Sequence, residues 1–131
     1  MIGLDTNVLV RYIMQDDAAQ SKKATKLLES LTPTEPGFVP LVVVVELFWV
    51  LSSAYELSRE QIAAALDALI HSKQLTVEKK DQVVRALRVY SASTADFPDC
   101  LIERTANAAG CERVMTFDVG AAKKAGMVLI A

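Results

Sequence analysis

Twice in this chain a short apolar run stops on an acid and turns at once into a helical pattern, and this repeated junction limits the fold more than any other feature. Ile2-Gly-Leu4 ends at Asp5, and Val8, Leu9, Tyr12 and Ile13 follow at helical spacing after Thr6-Asn7. Far downstream, Val114-Met-Thr-Phe ends at Asp118, and Val119 to Ala125 reads as a short helix. Strands that alternate with helices in this way point to a parallel sheet with helices on its faces. In such sheets the loops outside the carboxyl ends of the strands hold ligands, so an acid placed there is a candidate site residue. The same acid can instead cap the helix by accepting from its first amides, and both readings stay open for Asp5.

Alternation continues between these ends. Asp16-Asp17 opens a second helix that Pro33 and Pro36 close, and Gly37-Phe-Val-Pro40 reads as the second strand. Leu41 to Val45 is ambiguous, because its successive valines favour extended structure while the downstream spacing favours helix. Glu46 to Ala54 is apolar on nearly all sides and predicts a buried helix, with Trp49 read as core. Ser58 with Gln61 three residues on gives a capping box before a helix that runs to about Ser72. His71 falls in its last turn, where it complements the dipole. Leu75–Val77 is the third strand, Lys79 to Ser91 a helix, Cys100 to Ala109 a helix ended by Gly110, and Val128–Ile130 the last strand. The prediction is an α/β fold: one three-layer domain over residues 1–131, with a parallel sheet of four to five strands flanked by helices. Ile2 to Leu4 is expected to be a buried strand.

Composition narrows the class. At 131 residues, with 52% hydrophobic and 23% charged residues, the chain can bury a core without staples. Its longest apolar run, Gly37 to Val45, is far short of the roughly 20 residues of a membrane span, so no membrane role is expected. Met1 leads straight into the first strand, which leaves no room for a leader and predicts a cytoplasmic protein. Cys100 and Cys111 are too few for a zinc site or disulfide framework and are expected to be buried free thiols. Net charge is −2, but setting Asp5, Glu46, Asp99 and Asp118 aside leaves 12 acids against 14 Lys and Arg, so bulk charge does not exclude nucleic acid. Lys22, Lys23 and Lys26, like Arg85 and Arg88, are read as solvated helix faces.

Those four acids carry the chemistry. Glu46 lies inside an apolar stretch, where an ionised carboxylate needs a metal, an arginine or a raised pKa. Asp99 stands at a helix start, where amides favour its charged form, and Asp96 three residues earlier is the better plain cap or a supporting acid. Carboxylates gathered without His or Cys suit a hard cation such as Mg²⁺ or Mn²⁺, and they repel one another unless a cation offsets their charge. A strand-end phosphatase wants a second Asp two residues after the first, and Asn7 occupies that position. A receiver-type phosphoacceptor wants an early acidic pair and a lysine after a late strand, which do not occur in that order.

Asp5-Thr-Asn-Val-Leu-Val-Arg-Tyr, Val45-Glu-Leu-Phe-Trp-Val-Leu, Phe97-Pro-Asp-Cys-Leu-Ile and Thr116-Phe-Asp118 resemble, in order, the four motifs of PIN-domain ribonucleases, specifically VapC-type toxins of type II toxin–antitoxin pairs. The resemblance covers essentially the whole chain. It implies a PIN-like fold and an endoribonuclease that cleaves RNA by metal-activated water, with Asp5, Glu46, Asp99 and Asp118 as catalytic Mg²⁺ ligands and Mn²⁺ able to substitute. Thr6, Asn7 and Thr116 match the polar positions that support those acids, with helix capping as their plainer role. It further implies a homodimer and a cognate antitoxin, with contacts sought near Phe48 and Trp49. Pro98, Cys100 and Val119-Gly120 depart from the pattern, but none removes an acid. A catalytically silent PIN-like module that only binds RNA or a partner is the alternative.

Overall fold

In the computed structural model, which describes residues 1–131, the opening run forms β1 (Ile2–Gly3) and breaks at Asp5, the N-cap of α1 (Thr6–Met14). Gln15 ends α1 in the left-handed region, and Asp17 caps α2 (Ala18–Ser30) by accepting from the Gln20 amide. β2 (Gly37–Val39) pairs parallel with β1 and then with β3 (Leu75–Val77), giving the order β1-β2-β3. A Cβ at Gly37 would stand 2.7 Å from Leu4 Cδ1 and 2.9 Å from Leu31 Cδ1, so a side chain there would displace the ends of both buried leucines that close over the start of β2. β1 has a strand on one side only, and Ile2 is 46% exposed while Leu4 is buried. The expected buried first strand is thus corrected: only its last residue points inward.

The ambiguous valine run is helical. α3 (Leu41–Trp49) starts at Pro40, which lacks a side chain able to cap; Glu78 just after β3 substitutes by accepting from the Leu41 amide at 2.8 Å. Propensity penalties for β-branched residues in a helix are only about 0.7 kcal/mol each. Burial of Val43, Val44, Leu47 and Phe48 outweighs them, at roughly 1.5–3 kcal/mol per large apolar side chain. α3 continues as a π-helical stretch, Val50–Ala54, and α4 (Arg59–His71) begins with the capping box of Ser58 and Gln61. No helix is long and apolar enough to cross a membrane.

By contact density the chain forms two compact units, Met1–Lys80 and Asp81–Ala131. The second contains α5 (Lys80–Ala92, all but its first residue), α6 (Phe97–Ala108), β4 (Met115–Thr116), α7 (Val119–Lys124) and β5 (Val128–Leu129), with β4 and β5 parallel. α6 starts three residues before the expected Cys100, because Asp96 supplies the cap and Pro98 fits the first turn, where its missing N–H costs nothing. Gly110, at φ +97, closes α6: its amide donates to Asn107 O and that of Cys111 to Ala106 O, a turn that requires the left-handed region. Cys111 is carried to the surface by that turn, which corrects the expectation of two buried thiols; Cys100 is buried, and neither forms a disulfide. All five strands pair in parallel, as the alternating pattern predicts, but as a three-stranded sheet β1-β2-β3 and a two-stranded sheet β4-β5 and not as the one sheet of four to five strands expected, because β1 to β3 and β4 to β5 are each only two or three residues long.

Candidate active site

In the first unit the site begins where β1 runs out. Asp5 is exposed and its Oδ1 accepts from the Thr6 amide at 2.7 Å. Thr6 is only 6% exposed, and its hydroxyl donates to Glu46 Oε1 at 3.0 Å across forty residues of sequence. A buried threonine in the first turn of α1 therefore ties the Asp5 loop to α3. Glu46 is exposed, not buried as the apolar run suggests. Its helix turns Val43, Val44, Leu47 and Phe48 inward and leaves Val42, Glu46 and Trp49 outside, at the i, i+4, i+7 spacing of one helix face. No arginine holds Glu46. Asn7 is exposed in the first turn of α1 and lines an open groove of about 470 Å³ between α1 and α2, with Val8, Ala24, Leu27 and Lys23.

Nearby, Arg11 organises the α1–α2 corner. It donates through Nε to Gln20 at 2.7 Å and through one terminal nitrogen to Asp16 and to the Tyr55 hydroxyl, while that hydroxyl donates to Asp16 Oδ2 at 2.6 Å. The Tyr55 hydrogen bond, then Arg11, holds the Asp16 carboxyl below the usual carboxylate range.

In the second unit Asp96 and Asp99 share one helix start. Asp96 Oδ1 accepts from the Asp99 amide at 2.8 Å, so Asp96 is the cap and Asp99 sits in the first turn. Burial, then the charges of Asp96 and Asp118, raise the Asp99 carboxyl above its ordinary range. Asp118 follows β4 and caps α7, its Oδ1 accepting from Ala121 at 3.1 Å, and its own amide donates to Thr116 Oγ1 at 3.0 Å. Lysines 123 and 124 lie in the last turn of α7, away from that cap.

None of Asp5, Glu46, Asp96, Asp99 or Asp118 is ion-paired, since the salt bridges are Met1–Glu35, Arg11–Asp16, His71–Asp67 and Arg104–Glu103. Neither unit by itself gathers three acidic, histidine or cysteine side chains closely enough to hold an ion. Asp5, Glu46, Asp96 and Asp118 each have one oxygen fixed by a backbone amide or a hydroxyl, and no protein cation pairs with them or with Asp99. The model of the PIN domain matches residues 2–127. The chain belongs to the PIN-domain family. It is also similar to a VapC ribonuclease of Aquifex aeolicus (strain VF5), 29% identical over 115 residues that cover 87% of this chain and 84% of that protein.

The α/β fold with parallel strands and the family expected from the four motifs are both borne out. The four motifs name Asp5, Glu46, Asp99 and Asp118 but say nothing of their settings. The exposed Val42–Glu46–Trp49 face went unread because nearly every neighbouring position is apolar, although the spacing 42, 46, 49 carries the signal. The Arg11–Asp16–Tyr55 cluster had no local signature, because Tyr55 comes from the far end of the π-helical stretch.

Proposed function

We propose that this PIN-domain protein is a divalent-metal-dependent endoribonuclease of the VapC type, the toxin of a type II toxin–antitoxin pair. In this reading residues 1–131 act as one PIN-like domain in which Asp5, Glu46, Asp99 and Asp118 serve a common cation, Mg²⁺ or in its place Mn²⁺. The observation that carries it is the match of the PIN-domain model from residue 2 to residue 127, which spans all four acids. The similar Aquifex aeolicus protein, a VapC ribonuclease, supplies the reaction class. The donor set fits the ion: hard carboxylate oxygens, none salt-bridged, with Asp99 destabilised as an anion first by burial and then by its acidic neighbours. Mg²⁺ keeps several waters and needs only one or two carboxylates from any one element, so small sets of acids suit it.

When bound, such a cation lowers the pKa of a bound water and offsets charge on a phosphodiester. The chain's own residues prepare for this. Asp5, Asp99 and Asp118 stand at or in the first turn of helix N-termini, so their carboxyl groups are carried at the ends of rigid elements. Thr6 orients Glu46, and Thr116 fixes the backbone of Asp118. RNA as substrate, a cognate antitoxin, a homodimer and a cytoplasmic setting belong to the same proposal. The test is incubation of purified protein with labelled single-stranded RNA in Mg²⁺ or EDTA, beside Asp5→Asn. Cleavage only by the wild type in Mg²⁺ supports the reading. Equal cleavage by both proteins marks a contaminant and removes the support, and RNA binding without turnover favours the silent module.

A further inference from the structure

Of eight aromatic residues, Tyr12, Trp49 and Phe117 are exposed, and two of these three adjoin proposed site acids. Trp49 is 47% exposed and one helical turn beyond Glu46, at a spacing that sets side chains side by side on the helix surface. Phe48 packs edge-on against its ring, with centroids 5.2 Å apart and planes at 73°, so the indole is held rather than loose. In the second unit Phe117, the most exposed large apolar side chain at 79%, immediately precedes Asp118. Its loop is fixed on both sides of the acid by the Thr116 and Ala121 hydrogen bonds. Exposed aromatic faces contribute little to a fold, and here Trp49 is held by Phe48 and Phe117 is carried on a hydrogen-bonded loop, each beside a carboxylate.

We propose that Trp49 and Phe117 are base-stacking residues, each receiving a base of single-stranded RNA beside the acid it adjoins, Glu46 in the first unit and Asp118 in the second. The inference rests on the nuclease reading above and adds how substrate is held. Every base has a π-face, so such contacts grip a single strand without reading its sequence, and they require unpaired bases. A second protein chain is the competing occupant of an exposed tryptophan. It fits less well here, because covering Trp49 would also cover Glu46, the charged group between Trp49 and Val42.

Trp49 is the chain's single tryptophan, so its fluorescence reports on this residue alone. The experiment titrates metal-free protein in EDTA with a mixed-sequence RNA dodecamer, single-stranded or annealed to its complement. Trp49 emission is followed together with anisotropy of a dye on the RNA. Expected is quenching by the single strand and not by the duplex, at the concentrations where anisotropy rises. Trp49→Ala and Phe117→Ala are each expected to weaken binding by roughly 5- to 150-fold. Trp49→Phe keeps a stacking face and is expected to stay within about threefold of the wild type, which separates stacking from loss of fold. Binding without quenching, or unchanged affinity in Trp49→Ala and Phe117→Ala, overturns the stacking while leaving the nuclease reading intact. Quenching that tracks protein concentration without RNA assigns Trp49 to a second copy and also overturns it. Absence of any RNA binding or cleavage by the wild type refutes the nuclease reading and the proposal together.

Discussion

Replacing Thr6 by valine keeps the shape and β-branching of the side chain and deletes only the hydroxyl that holds Glu46 Oε1 at 3.0 Å. A hydrogen bond to a charged acceptor contributes about 1.5–3 kcal/mol when the partner is left buried and unsatisfied. Glu46 is exposed, so its carboxylate regains water and the loss falls below that range. The new methyl sits at a position 6% exposed and returns up to about 0.8 kcal/mol of apolar burial. Stability should therefore change by less than about 1 kcal/mol. Glu46, by contrast, loses the contact that fixes its rotamer. Losing an outer partner of a metal-binding carboxylate costs about 10- to 100-fold in metal affinity or activity. Thr6→Ser should behave in the opposite way. It keeps the hydroxyl and deletes a buried methyl, so the melting temperature should fall by about 3–6 °C while Mn²⁺ affinity and RNA cleavage persist. Thermal melts and calorimetric Mn²⁺ titrations of the three proteins separate the effects. Equal metal affinity in Thr6→Val and wild type, or equal loss in Thr6→Ser and Thr6→Val, refutes the argument that the hydroxyl acts by holding Glu46.

Two further predictions concern charge. Asp99 has a raised folded-state pKa, chiefly from burial and then from Asp96 and Asp118. Its favourable contribution is thus complete below the ordinary value of 3.8 and is lost as pH rises through the folded value. Metal-free Asp99→Asn should melt above wild type at neutral pH, with the gap closing as pH falls through that window; a gap independent of pH refutes the assignment. Asp16 runs the other way. Its lowered pKa gives stability present above the unfolded value and lost as pH falls through the folded one. In Tyr55→Phe the Asp16 carboxyl should titrate at higher pH by carboxylate NMR, and an unmoved titration shows that Tyr55 is not the cause.

How far the chain could be read depended on how local each cause is. Capping is local, and Ser58-x-x-Gln61, Asp17 and the Asp5-Thr-Asn start of α1 all stand where the sequence puts them. Leu41–Val45 could not be resolved by pattern. Its start is satisfied by Glu78 and its valines by burial, both supplied from far along the chain. Glu46 was misread for a related reason: hydrophobic neighbours in sequence do not say which way a helix faces, and here the carboxylate faces out with Val42 and Trp49. At Asp96–Asp99 two acids three residues apart compete for one helix start, and the fixed geometry of Pro98 inside the first turn gives the cap to Asp96. The four motifs single out acids by residue type and order alone. Their hydrogen-bond partners needed coordinates.

The proposed function requires Asp5, Glu46, Asp99 and Asp118 to serve a common cation. Electron paramagnetic resonance of Mn²⁺ titrated into the wild type and into Asp5→Asn and Asp99→Asn tests it directly, without RNA. The expected result is that each single substitution weakens the whole bound population. Unchanged binding in both variants, or loss of separate and additive populations in each, contradicts the shared site.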